Sequence, residues 1–408
     1  MLLLMFTKYI DICFESPECH TTLFIEACYK GDIKLVNILF DYVDPSSDNN
    51  QAIQIASQNG HFDVVDRLLQ DRRVDPSADN NYAIRWASYN GSVAVVDRLL
   101  RDSRVNPSAN NNEAILWASE SGNVAVVERL LQEPTNRVDP AVAHNSAIIT
   151  ASKNGHAGVV DILMQDSRVI PFATNNSALT QASQYGHAEV VKLLLRNQSV
   201  GSIECSIIIE KSSLICASLN NKINVVDIFI QDSRVNTIRK YGAFIVSVEN
   251  GFLQIVDRLI QDPQVDPSAN NNLAIQHACQ FNQIQIIERL LQDTRVDPSA
   301  NNNRAIHYAC TFNNIKIVER LLQDPRVDPS ANDNQAIQHA CQFNYIKIIE
   351  RLLQDPRVDP TANNNYAYRI SKYNGNEYIV SILIKDQRIK FAIECGFIPL
   401  IQSKKQVT

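Results

Sequence analysis

Three cysteines recur at a fixed interval: Cys279, Cys310 and Cys341 stand 31 residues apart, each two residues after His277, Tyr308 or His339. Thiols and imidazoles are the side chains of zinc sites and of nucleophilic catalysis. The spacing argues against both uses. Residues two apart on a helix point away from each other, and one repeat exceeds the Cα separation that a disulfide tolerates. The pattern fits a small residue at a crowded helix contact, where other units carry Ser or Ala. The sequence contains no Gly-rich lysine loop, no Gly-x-Ser-x-Gly elbow and no His-Glu-x-x-His. No catalytic residue, cofactor or metal is therefore assigned.

Three further columns of residues repeat with the same period. Arg67, Arg98, Arg129, Arg258, Arg289, Arg320 and Arg351 each follow an Asp or Glu. They read as a solvated face of mixed charge and not as a phosphate stripe. The triplets Asn110–Asn112, Asn270–Asn272, Asn301–Asn303 and Asn363–Asn365 suit turn chemistry and capping of the following helix; the alternative is a polar ribbon that touches a partner. Trp86 and Trp117 fall where later units carry His277, Tyr308 and His339. Four residues on, Asn90 and Ser121 give way to Phe281, Phe312 and Phe343. Positions four apart share a helix face, so one surface carries Trp early and a His/Tyr–Phe pair late. Space filling between helices is one reading. The other is a binding surface, because exposed aromatics are typical hot spots. Trp86, Tyr89, Trp117, Phe281, Phe312 and Phe343 are the candidate partner-binding residues.

The elements that carry these columns follow from the period. Val-Asp-Pro or a relative of it places prolines at 45, 76, 107, 140, 171, 267, 298, 329 and 360, mostly 31 residues apart. The step from Pro107 to Pro140 is longer through the inserted Pro134-Thr135, and between Pro171 and Pro267 the marker is lost. One unit, 266–296, holds a polar turn, Asp266–Asn272, and a short segment with Ala274, Ile275, Ala278 and Cys279 apolar. A second segment follows with Ile284, Ile286, Ile287, Leu290 and Leu291 apolar. That spacing predicts two amphipathic helices per unit. The break between them holds only Gly or Asn: Gly31, Gly60, Gly91, Gly122, Gly155, Gly186, Asn221, Gly251, Asn282, Asn313, Asn344 and Gly375. Gly and Asn are the residues that end a helix in a left-handed conformation. The column predicts twelve units.

The unit resembles an ankyrin repeat. Ala52-Ile53, Ala56-Ser57, Gly60-His61, Val64-Val65, Leu68-Leu69 and Val74-Asp75 occupy the places of that family's motif. The family's Thr-Pro-Leu-His start is largely replaced by polar-Ala-Ile-x, and the period is 31 where the family has 33. The near-identical Asp-Pro-Ser-Ala-Asn-Asn units resemble the expanded ankyrin families of giant DNA viruses and protists. The resemblance implies an all-α solenoid of about twelve helix–turn–helix repeats with short β-turn fingers. It also implies a concave groove, reached by the ends of the first helices, in which a partner protein binds.

The domain boundaries expected are 1–20 for an N-terminal cap, in which Met1–Phe14 covers the first unit, 21–390 for the array, and 391–408 for a C-terminal cap and tail. The array is irregular at 200–247. There the connector becomes GSIECSIIIEKSS with Ile207–Ile209, and Asn236-Thr237 replaces Asp-Pro. Drift of an old repeat and a hinge or contact point are both open readings. In contrast, the units 266–296 and 328–358 differ at only five positions, all expected on the surface or in turns.

Net charge is −6 with pI near 5.8, which gives no electrostatic reason to expect nucleic acid. Nine cysteines without disulfide-framework or zinc spacing read as reduced thiols in the cytosol or nucleus, the host cytoplasm if the source is viral. No signal peptide or membrane span is expected. The chain reads as a monomeric, non-enzymatic scaffold or adaptor for a protein partner. The alternatives are a substrate receptor of a ubiquitin ligase, for which the stretch 391–408 is short, and a structural spacer.

Overall fold

The computed structural model describes residues 17–133, 137–196 and 213–395. The expected cap Met1–Phe14, the Pro134-Thr135 insertion, the connector 200–212 and the end 396–408 lie outside them. The chain divides into two compact units, Met1–Ala217 and Ser218–Thr408. In the first, the helices pair as Pro17–Lys30 with Ile33–Leu39, Ser47–Gln58 with Phe62–Leu69, Ala78–Tyr89 with Val93–Leu100, Ala109–Ser121 with Val124–Leu131, Val142–Asn154 with Ala157–Gln165, and Ala173–Tyr185 with Ala188–Arg196. The helix Ser213–Leu219 spans the division, and Ile223–Gln231 follows it in the chain. The second unit continues with Thr237–Asn250 and Leu253–Ile260, Ala269–Gln280 and Ile284–Leu291, Ala300–Thr311 and Ile315–Leu322, Ala331–Gln342 and Ile346–Leu353, and Ala362–Tyr373 and Glu377–Leu383. A single helix, Gln387–Glu394, follows. The fold is an all-α ankyrin solenoid, with no strand among the described residues.

Within each unit, first helices pack on neighbouring first helices and second helices on second. The sequence periodicity shows why. Ala274, Ile275, Ala278 and Cys279 of one first helix, and Ile286, Ile287 and Leu290 of its second, are all buried. Neither helix can bury that stripe within its own pair, so the stack supplies the core. Ser57, Ser88, Ser119 and Ser152, at the cysteine column, bury hydroxyls that find no hydrogen-bond partner. Cys279, Cys310 and Cys341 put a softer, less polar atom in that crowded place.

All twelve Gly/Asn breaks are left-handed. The glycines lie at φ +73° to +88° and the asparagines at +55° to +63°. The asparagines stay inside the narrow left-handed region open to an L-residue, while the glycines go past it. The chain turns back with the Asn123 amide donating to the Ala118 carbonyl at 2.9 Å, the closing bond of a Schellman cap. Gly122 has a second reason to lack a side chain. A Cβ there would stand 2.5 Å from Nδ1 of His156, which reaches back from the next pair to the Glu120 carbonyl at 2.8 Å.

The connectors hold a feature that periodicity does not show. Asp266–Ala269 is a β-turn closed by the Ala269 amide on the Asp266 carbonyl (3.2 Å), and Asp266 Oδ1 accepts from the Ser268 amide and hydroxyl. Asn270, Asn271 and Asn272 then all lie in the left-handed region, at φ +54°, +56° and +59°. The same run of three occurs at Asp48–Asn50, Asp79–Asn81, Asn110–Asn112, Ala143–Asn145, Asn301–Asn303, Asn332–Asn334 and Asn363–Asn365. The third residue is always Asn and buried, and in every run but the last it bonds forward. Asn272 Oδ1 accepts the Asp297 amide at 2.8 Å, Asn303 the Asp328 amide at 2.7 Å and Asn334 the Asp359 amide at 2.6 Å. Capping of the following helix, expected from the triplets, is corrected: Ser268, Ser299 and Ser330 at the N-cap make no side-chain cap bond, and the asparagine carboxamide serves the next connector instead.

A second rung runs beside the first. Arg326 forks onto Asp324 and sends Nη1 to the Val296 carbonyl of the preceding unit at 2.8 Å. Its side-chain hydrogen bond holds Asp324 below the usual carboxylate range. The outer arginines also pair backwards: Arg98 with Asp66 at 2.6 Å, Arg129 with Asp97 and Arg289 with Asp257, both at 2.7 Å. At Asn236-Thr237 the left-handed run is replaced by direct capping, as Asn236 accepts the Arg239 amide. Lys240 there bonds Asp262 at 2.6 Å with both side chains buried.

Asn365 ends the series, and its Oδ1 has no hydrogen-bond partner. Asn303→Ala is expected to cost about 2–4 kcal/mol, from left-handed strain plus an orphaned amide. Asn365→Ala loses no rung and is expected to cost only about 1–2 kcal/mol. Urea-unfolding midpoints of the two variants check the difference.

Candidate functional site

The first helices present their outer ends as an aromatic surface in both units. In Met1–Ala217 the helix Ala78–Tyr89 ends on Tyr82, Trp86 and Tyr89, and Ala109–Ser121 adds Trp117. Trp86 meets Trp117 edge-on at 5.3 Å between centroids and Tyr89 at 5.5 Å, while Tyr89 lies 6.2 Å from Trp117. Tyr82 stacks on Trp86 at 5.6 Å. Such pairs add stabilisation beyond area burial. Arg85 is buried beneath them, 5.4 Å from the Trp117 ring; it bonds Glu113 and donates to the Asp79 carbonyl at 2.9 Å. The two tryptophans are half-buried against each other, so they fill space between first helices. Tyr89 is exposed.

In Ser218–Thr408 the aromatic column is more open. His277, Tyr308 and His339 face Phe281, Phe312 and Phe343 at 6.0, 6.2 and 6.4 Å. The phenylalanines are 45%, 47% and 47% exposed, so they are not core residues. Each is the last right-handed residue before the left-handed Asn, which turns its ring outward at the helix end. His277 Nδ1 lies 2.7 Å from Glu249 Oε1.

Between the helices Ala300–Thr311 and Ala331–Gln342 lies a cleft of about 410 Å³ lined by Arg304, His307, Tyr308, Phe312, Gln335 and His339 with turn residues around them. His307 is buried, with no hydrogen-bond partner for Nε2. Burial pushes its pKa down to about 4; His339 and Arg304 add to the shift, and the Ala331 carbonyl and Asp328 oppose it. Arg304 donates to the Tyr308 hydroxyl at 2.9 Å and its guanidinium lies over the ring at 5.0 Å.

The family profile described as Ankyrin repeats (3 copies) matches residues 133–207, 214–302, 244–333 and 277–364, and that described as Ankyrin repeat matches 48–81. The chain belongs to the ankyrin-repeat family. A comparison with curated proteins returns no match. Ankyrin repeats are protein–protein interaction modules, and the two aromatic surfaces are among the exposed apolar features this ankyrin chain carries on its first helices.

Sequence reading placed the six candidates on first helices but missed the residues that organise them. Tyr82, Arg85 and Glu113 carried no repeat signature. His307 was hidden because its column is variable, with Gln276 and Gln338 on either side. The cysteine column is buried, and burial raises all three thiols, Cys341 to about 12. One thiol departs from the reduced reading: Cys19 is disulfide-bonded. No helix among the described residues is long and apolar enough to cross a membrane.

The buried imidazole makes stability depend on pH. An unfolded chain protonates this histidine near its ordinary 6.5, the folded chain only near 4. Its cost is absent above pH 6.5 and grows as pH falls towards 4, reaching on the order of 2–3 kcal/mol. His307→Gln, which installs the residue of the neighbouring units, is expected to flatten that part of the profile. Thermal midpoints of both proteins between pH 7 and pH 4 check this.

Proposed function

We propose that the chain is a non-catalytic scaffold or adaptor that holds a partner protein on its first-helix face. Phe281, Phe312 and Phe343, with Trp86, Tyr89 and Trp117 in the first unit, are the contact residues in this reading. The observation that carries it is the repeated exposure of a large apolar side chain. Three phenylalanines stand at one place in three successive pairs, each with nearly half its surface in water. Isolated exposed apolar residues need no explanation, but a row of them marks an interaction surface. At the usual spacing of packed helices the row is about 20 Å long, a fair share of an interface of about 800 Å² per partner.

The remaining chemistry is consistent with a binding role. The buried, raised thiols of Cys279, Cys310 and Cys341 are poor nucleophiles. The outer arginines serve neighbouring units, and partly exposed ion pairs of that kind contribute little to affinity.

The test starts from partners captured by affinity purification and confirmed with purified components. Phe312→Ala is expected to weaken binding at least tenfold, about 1.4 kcal/mol, while Arg320→Ala changes it little. Isothermal titration with unfolding curves for both variants decides the matter. Undiminished affinity of folded Phe312→Ala protein contradicts the assignment of this face.

A further inference from the structure

We propose that the aromatic face of the first unit docks a basic segment of the partner, whose arginine side chains lie on Trp86, Tyr89 and Trp117 and pair with Asp79 and Glu120. The proposal rests on the protein-binding reading for the kind of partner and adds the chemistry that this face selects.

Charge on these first helices is one-sided. Ser47–Gln58, Ala78–Tyr89 and Ala109–Ser121 carry Asp48, Asp79, Glu113 and Glu120 against a single base, Arg85. Arg85 is buried and already bonded to Glu113. Asp48, Asp79 and Glu120 are exposed and make no ion pair among the described residues. Two of these acids stand at the rings. Glu120 follows Trp117 by three residues on one helix, so the two share a face. The Asp79 carbonyl accepts from Arg85 at 2.9 Å, and that guanidinium lies 5.4 Å from the Trp117 ring. Burial raises the Tyr82 phenol above its ordinary value, the Asp79 charge adds to the shift and Arg85 opposes it. The carboxylate therefore acts on the ring that stacks on Trp86.

An aromatic face attracts a cation, and an indole does so best. The chain itself makes this contact on other first helices: Lys153 lies over the Tyr185 ring at 5.7 Å and Arg304 over Tyr308 at 5.0 Å. Trp86 and Tyr89 have no cation over them among the described residues, and Trp117 has only the buried Arg85 beneath it. A planar guanidinium can stack on a ring and fork onto a carboxylate with the same group, which an ammonium cannot. An acidic or phosphate-bearing partner would meet three exposed carboxylates. The aromatic surface of the second unit has the opposite balance: Ala300–Thr311, Ala331–Gln342 and Ala362–Tyr373 carry Arg304, Arg369 and Lys372 against Asp333. Selection for a basic segment therefore belongs to the first unit.

The test uses the full chain, whose two tryptophans are Trp86 and Trp117, so that tryptophan emission reports on this face alone. The probes are acetylated, amidated peptides of four Arg-Ser-Gly repeats and counterparts with lysine, leucine or glutamate in place of arginine, titrated at neutral pH and low salt. The expected result is a saturable change in emission with the arginine peptide, at least threefold weaker affinity for the lysine and leucine peptides, and no response to the glutamate peptide. The double variant Asp79→Asn, Glu120→Gln is expected to bind the arginine peptide at least fivefold more weakly. It keeps the fold because other units carry Asn110 and Gln58 at those places. Unchanged emission with the arginine peptide overturns the proposal, as does an equal response to the glutamate peptide or undiminished affinity of the double variant. Equal affinity for the lysine or leucine peptide overturns it too, the latter making the face an apolar docking site. A silent titration beside partner binding that Phe312→Ala weakens removes only the arginine assignment. A positive titration beside partner binding that Phe312→Ala leaves intact removes only the phenylalanine row.

Discussion

A backbone that runs three residues through the left-handed region is under strain, and in this chain that strain is held by a bond to the next unit. Left-handed geometry costs most L-residues about 1–2 kcal/mol each. Asn lowers the cost through its short polar side chain, yet Ala143 and His144 adopt the same angles without that help. The position that does not vary between repeats is the third, and there the buried carboxamide receives an amide 25 residues ahead, as Asn145 does from Ile170 at 2.8 Å. The turn is a joint shared by two successive units. The Arg326-type fork onto the preceding valine carbonyl points the other way along the chain and closes the same joint. Each connector is therefore ordered by its neighbours on both sides.

That arrangement frees the first helices. With connector and core contacts supplying cohesion, residues at the end of a first helix are not needed to hold units together. Phe281, Phe312 and Phe343 stay nearly half exposed while Ile275, Ile306 and Ile337 of the same helices are buried. The short left-handed exits at Asn282, Asn313 and Asn344 fix the direction of each ring. In the first unit Asn90 and Ser121 stand at the phenylalanine positions, and the aromatic surface comes from the column of His277: Trp86 and Trp117 turn into each other over the buried Arg85, and less of their surface is left to a partner. The two surfaces differ in how much of the binding group has already been spent on packing.

Much of this was legible in the sequence because it is local. A Gly or Asn that must lie left-handed is a one-residue rule, and all twelve breaks obey it. The buried stripe Ala274, Ile275, Ala278 and Cys279 follows from helical spacing alone, and the five differences between units 266–296 and 328–358 all avoid buried positions. What could not be read depends on contacts across units. The asparagine rung joins a side chain to a backbone amide, and an amide has no sequence signature. The buried His307 stands where the neighbouring units carry Gln276 and Gln338, which bond the carbonyls of Asn271 and Asp333, and a variable column gives no repeat signal. The triplets were legible as turns, but their service to the next connector was not, because capping of the following helix predicts the same residues.

The claim that the connectors are ordered by neighbouring units is tested most directly by amide hydrogen exchange at the rung donors. The Asp75, Asp297, Asp328 and Asp359 amides sit in polar turns, where exchange is ordinarily fast. If the rung holds them, they exchange as slowly as the helix amides of Ile286 and Ile317 in the core. Exchange at the rate of an open surface turn, with the core helices still protected, would contradict the account.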